Sequence, residues 1–253
     1  MAMVTRAVMA AQRKALGKLS NASRTAAERY FKTLDWEGDP EGSRDKLVAF
    51  YESLGTKMGE SGSRIGAEFY NDVRSASTAK GRYTAYSNRG ISNADIDQMV
   101  RANLGPVFEG NPMDALPRLL QEAEQLVMRP YRDALNKALE NDPAHPRYAR
   151  VPAGETCAWC SMLAGNGWTW PSEAEAEMVE YHDNCQCIPV PAFDEKGKQV
   201  AGYDYKHYEG LYNDAVEALG AEAYADDGTL DKSAILSQMR SDGNVSDAHV
   251  SAP

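Results

Sequence analysis

Long apolar runs are missing from this chain of 253 residues. None approaches the roughly 20 consecutive apolar residues that a membrane-crossing helix needs, so no membrane partner is expected. The opening residues, M-A-M-V-T-R-A-V-M-A-A-Q-R-K, have neither an apolar core nor a cleavage signature. They read as the start of an amphipathic helix rather than a signal peptide. Histidine and cysteine are both scarce, at four each. No H-E-x-x-H occurs, which excludes the common zinc-protease helix. No H-x-E precedes the one C-x-x-C, which excludes a zinc deaminase. The glycine-rich G-E-S-G-S-R lacks the G-K-[ST] ending of a phosphate-binding loop. A thioredoxin-like site would set its C-x-x-C in a βαβ pattern and would need no second cysteine pair. Nucleophilic catalysis by Cys157 or Cys160 with His182 would require those groups to be free of metal. No catalytic constellation remains outside the cysteines, and the expectation is a protein that is not an enzyme.

Charge is unevenly spread. The net charge is -10, yet residues 1–150 hold 22 basic against 19 acidic residues while residues 151–253 hold 5 against 18. The acidic half is repelled by a nucleic-acid backbone. Contact with DNA, if made, falls to the first half, including the loop 75–91, where Lys80, Arg82 and Arg89 alternate with Tyr83 and Tyr86. An ordinary solvated surface explains the same charges.

Apolar periodicity makes the chain mainly α. Residues 1–140 read as a helical region that contacts partners, and 141–150 as a turn-rich linker. Residues 151–193 form a small α+β module, 194–240 an acidic helical region, and 241–253 a disordered tail. In the first helix the apolar stripe is Val4, Val8, Ala11, Ala15, Leu19, Ala22, Ala26, Tyr30 and Leu34. Ser43 is expected to cap the second helix. Gly55, Gly59, Gly62 and Gly66 permit either a small-residue helix face or a break, and a break near Gly59–Gly62 is expected, since each glycine costs about 1 kcal/mol in a helix interior. Ser92 caps a third helix, with Asp95 completing a capping box. Asn111-Pro112 opens the clearest amphipathic helix, which Pro130 should kink or split. Short strands are expected over Tyr148–Val151 and Cys187–Val190, with a helical turn at Ser161–Ala164. A helix is expected from Tyr205, and a short one within 230–240.

All four cysteines fall between Val151 and Pro191. Cys157-Ala-Trp-Cys160 is followed by an acidic spacer carrying Glu173, Glu175, Glu177 and Glu180, then by His182-Asp-Asn-Cys185-Gln-Cys187. Five soft or borderline ligands therefore converge where zinc needs four. Neighbouring thiolates repel one another, and a divalent cation removes that cost. In a reducing cytoplasm such pairs more often hold metal than form disulfides. The expected cofactor is Zn2+ with ligands drawn from Cys157, Cys160, His182, Cys185 and Cys187. His182 and Cys187 compete for the fourth place, and His182 can instead act as a hydrogen-bonding residue beside the site.

This arrangement resembles the carboxy-terminal module of phage head morphogenesis proteins, the Mu F-like minor capsid proteins, in the form found in phages of actinobacteria. There a C-x-x-C turn and a short helix are followed by a spacer, H-P-x-C-x-C and an apolar run with proline. Here Ile-Pro-Val-Pro191 supplies that run, Asp183 replaces the usual proline, and the spacer is longer. The resemblance implies a virion protein of the head interior or portal vertex, made in the host cytoplasm and present in several copies per head. Its implied partners are the portal protein, the major capsid protein, or both. The alternative it leaves open is an internal DNA-binding or ejected head protein, and the third reading is a capsid maturation protease.

Overall fold

The computed structural model describes residues 4–88, 90–152, 156–171, 181, 185, 187–243 and 245. The fold is mainly helical, with a single two-stranded sheet among the described residues. No described helix is long and apolar enough to cross a membrane. The chain forms two compact units that do not follow sequence order. One comprises residues 9–71 and 84–138; the other comprises residues 1–8, 72–83 and 139–253.

The first unit is built from helices. Helix α1 (Arg6–Phe31) buries Met9, Leu16, Ser20, Ser23, Ala27 and Phe31. This stripe is rotated about one residue from the one expected, and Val8 is exposed. Two serines lie on the buried side, which apolar periodicity does not reveal. Ser23 is tolerated there because its hydroxyl donates to the Ala123 carbonyl at 2.6 Å. The helix stops at Phe31, whose carbonyl accepts from the Trp36 indole N–H at 3.1 Å.

Helix α2 (Pro40–Ser75) starts one turn earlier than expected. Asp39 accepts from the Gly42 N–H at 3.0 Å, and proline occupies the first helical position. Ser43 is not the cap; it is fully buried, and its hydroxyl donates to the Asp35 carbonyl at 2.9 Å. The expected break at Gly59–Gly62 is absent, and α2 is continuous through all four glycines.

Close packing explains that continuity. A Cβ at Gly62 or Gly66 would run into the carbonyl oxygens of Val127 and Tyr131 on α5 (Pro112–Asn141). At Gly59 it would meet the Gly90 Cα at 2.7 Å and the Pro130 ring at 3.4 Å. The glycines thus form a groove that lets α5 and Gly90 approach the α2 backbone. What the helix loses in propensity it regains in contact. Helix α5 likewise runs through Pro130 without splitting; of its expected face, Leu116, Leu119, Ala123, Leu126, Val127, Tyr131, Ala134, Leu135 and Ala138 are buried, while Leu120 is only half-buried.

Two shorter helices, α3 (Asn93–Ala102) and α4 (Gly105–Phe108), complete this unit. Ser92 caps α3 as expected, accepting from the Asp95 N–H at 3.1 Å. The segment before it is laid along α2 by side chains. Asn71 makes two hydrogen bonds to the Ala85 backbone, and the Ser63 hydroxyl accepts from the Asn88 N–H at 2.6 Å.

In the second unit, β1 (Arg147–Val151) pairs antiparallel with β2 (Ile188–Ala192), Arg150 standing opposite Pro189 and Tyr148 opposite Pro191. Prolines at alternate positions are compatible with an antiparallel ladder, which leaves every second residue's N–H unpaired. The backbone of Tyr148 turns the other way and exchanges two hydrogen bonds with Thr169, at 2.9 and 3.0 Å. Helix α6 (Ala158–Gly165) follows the first cysteine. Helix α7 (Tyr205–Leu219) runs on into a 3-10 turn at Gly220–Ala223, and α8 (Lys232–Ser241) ends one residue beyond the 230–240 range expected for it. Distant segments close the unit. Val4 bridges to Val200, Thr78 donates to Asp194 at 2.8 Å, and Arg74 forms a two-pronged pair with the fully buried Asp142, the shorter contact being 2.6 Å. Most of the tail expected at 241–253 lies outside the described residues, as does the glutamate spacer; its first residue, Ser241, belongs to α8.

Candidate metal centre

Cys157 is the N-cap of α6, and its sulfur accepts from the Cys160 N–H at 3.3 Å. The C-x-x-C turn is therefore also a helix start, where unpaired backbone N–H groups and the helix dipole favour a thiolate. Cys185 and Cys187 lie just ahead of β2, and the Cys187 N–H donates to the Cys185 sulfur at 3.4 Å. Pairing of β1 with β2 brings this second turn back beside the first.

The sulfurs of Cys160, Cys185 and Cys187 all lie within 4.8 Å of one another. The Cys160–Cys185 separation is 3.5 Å. A disulfide would require about 2.05 Å, and all four cysteines are free thiols. Tetrahedral zinc with bonds of about 2.3 Å sets sulfurs about 3.8 Å apart, close to what is seen. All four cysteines are at most 2% exposed, with Trp159 and Tyr181 packed against them.

Burial makes these thiols poor acids without a cation. Hydrogen bonds that the Cys160 thiol makes to Cys157, Cys185 and Cys187, together with burial, push that thiol far up. For Cys187 the hydrogen bond to Cys160 acts downward, but Cys185 and burial outweigh it and push the thiol up to about 12. The donor set is thus three buried sulfurs that can hold a metal ion, with Cys157 in the same cluster. His182, the fifth expected ligand, lies outside the described residues.

One residue of the site escaped the sequence reading. Arg150 on β1 is 0% exposed, and its guanidinium donates to the sulfurs of Cys185 at 3.5 Å and Cys160 at 3.7 Å. The Tyr181 ring lies against the guanidinium, its centroid 4.1 Å from the guanidinium carbon. Burial alone would lower the Arg150 pKa, but Tyr181 and the three neighbouring cysteines outweigh it, so the residue stays charged. The signal available was an arginine between Ala149 and Val151 in a strand expected to lead into the first cysteine turn.

Comparison with known proteins gives a family. No solved structure matches the chain. The Gene 15 protein of Mycobacterium phage D29 is 28% identical over 131 aligned residues, which cover 36% of this chain and 47% of that protein. The chain therefore spans about half the length of the curated relative it matches. The VG15 protein family profile matches residues 3–215. The two matches indicate a bacteriophage protein, and the extent of the second shows that the chain belongs to the VG15 protein family.

Proposed function

We propose that this phage protein is a structural minor component of a tailed-phage head, similar to the Mu F-like head morphogenesis proteins. In this reading it docks to the portal protein or the major capsid protein during head assembly. The observation that carries the reading is the cysteine cluster. The spaced motif behind the resemblance folds into one buried knot, in a chain whose relatives are phage proteins. The ion assigned to the knot is Zn2+, held by Cys157, Cys160, Cys185 and Cys187. The sulfurs of Cys160, Cys185 and Cys187 supply three of the positions, and Cys157 of the same buried cluster is assigned the fourth. A closed, buried thiolate site suits a structural ion, since catalytic zinc keeps an open position. The chain then works by contact rather than catalysis: zinc fixes loops that have little core of their own, and the helices present faces to the head.

The test has two parts. Mass spectrometry of purified virions of the source phage, with heads separated from tails, should find the protein in the head fraction. The recombinant full chain should bind portal or major capsid protein in pull-down. Absence from the virion together with binding to neither protein would overturn the assignment. Capsid-protein cleavage lost on Cys157→Ser without loss of folding would replace it with the protease reading.

A further inference from the structure

Zinc with four thiolates carries two net negative charges, a costly load to bury without compensation. The only guanidinium described against the sulfurs is that of Arg150, at 3.5 and 3.7 Å from two of them. It sits on β1, a strand held on one side by β2 and, through Tyr148, on the other by Thr169. The Tyr181 ring stacks against the guanidinium, which adds cation–π attraction in a site shielded from water. Arginine keeps its charge under burial and presents a planar fork of donors.

From these contacts we propose that Arg150 is a built-in counter-charge of the metal centre, one that tunes how strongly and with which ligands the ion is held. This rests on the reading of the cluster as a zinc site. The attraction between the guanidinium and a four-thiolate centre exceeds that for a centre in which an imidazole replaces one thiolate, because the former is more negative. Arg150 therefore shifts the choice of fourth ligand toward cysteine. Its N–H donors also draw electron density from the Cys160 and Cys185 sulfurs, which lowers their nucleophilicity and makes the bound thiolates slow to react with electrophiles.

The experiment compares the full-length wild type with Arg150→Gln, which keeps donors but no charge, and Arg150→Lys, which keeps charge without the planar fork. Zn2+ affinity is read by competition with a chromophoric chelator. Co2+ substitution reports the number of thiolate ligands through its absorption spectrum, and iodoacetamide reports thiolate reactivity. Arg150→Gln is expected to weaken Zn2+ binding at least tenfold, in the range of about 10–100-fold known for groups that support metal ligands. It should also speed alkylation of the loaded protein and alter the Co2+ thiolate bands. Arg150→Lys is expected to recover most of the affinity. Wild-type affinity and spectrum in Arg150→Gln, or equal losses in both variants, would overturn the counter-charge. Should Arg150→Gln fail to fold, Arg150→Lys decides: near-wild-type metal retention upholds the proposal, and a loss of tenfold or more overturns it. Failure of the wild type itself to bind one Zn2+ or Co2+ would sink the zinc reading instead, and the two failures are thereby told apart.

Discussion

Replacing Gly62 by alanine tests the packing of α2 with a change of sign. On helix propensity alone, Gly→Ala in a helix interior stabilises by about 1 kcal/mol. Gly17 in α1 supplies that baseline, because a Cβ there meets nothing within 4 Å. At Gly62 the same Cβ collides with the Val127 carbonyl oxygen and comes within 3.2 Å of its carbon and 3.4 Å of its Cα. These are backbone atoms inside α5 and cannot rotate aside, so the two helices must separate. Overpacking costs about 1–3 kcal/mol and occasionally more. A contact with fixed backbone belongs at the upper end, which leaves Gly62→Ala destabilised by about 2 kcal/mol after the propensity gain. With an urea m-value of about 2 kcal/mol/M, the midpoint should fall by about 1 M in Gly62→Ala and rise by about 0.5 M in Gly17→Ala. Urea titration followed by far-UV circular dichroism measures both. If Gly62→Ala rises in step with Gly17→Ala, the close approach of α2 and α5 is wrong.

Four further outcomes are expected. Asp142→Ala should cost about 3–5 kcal/mol, as breaking a buried ion pair does, because it leaves Arg74 facing no carboxylate at a fully buried position; thermal or urea unfolding reads it. Ser92→Ala should cost about 1 kcal/mol through loss of the α3 cap, and an unchanged unfolding midpoint would refute the cap's role. Chelation, or acidification that protonates the thiolates, should change near-UV circular dichroism and tryptophan fluorescence through Trp159, which packs on the cysteines; unaltered spectra after verified metal removal would count against a structural ion. The full chain, at net charge -10, should not be retained on immobilised DNA even at low salt. Retention that falls steeply with salt would favour the internal DNA-binding reading.

Much of the architecture was legible because it depends on local chemistry. Ser92 with Asp95, Asn111-Pro112 and the repeating leucines of α5 each announce a helix from its own residues. The strand pair was legible for a different reason, since apolar runs flank both cysteine turns. What the sequence concealed depends on partners distant in the chain. The glycines of α2 signal a break until α5 is known to lie against them. Ser23 looks like a solvent-facing residue until the Ala123 carbonyl is opposite it. Arg150 looks like a strand-end charge until two cysteines and Tyr181 surround it. Cysteine spacing pointed to one cluster, but it named neither the three sulfurs that lie nearest one another, those of Cys160, Cys185 and Cys187, nor the arginine beside them.

The bridge between Val4 and Val200 has a consequence for synthesis. As the ribosome releases the chain from its amino end, residues 9–71 and 84–138 are all available to one another before the first cysteine has been added. Val4 and the stretch around Thr78 must meanwhile wait for Val200 and Asp194, which emerge much later. The unit that carries the sulfurs can close only near the end of translation, with a high cost in loop ordering. A nascent chain stalled after residue 138 would thus hold a complete set of helices for one unit and only loose ends for the other.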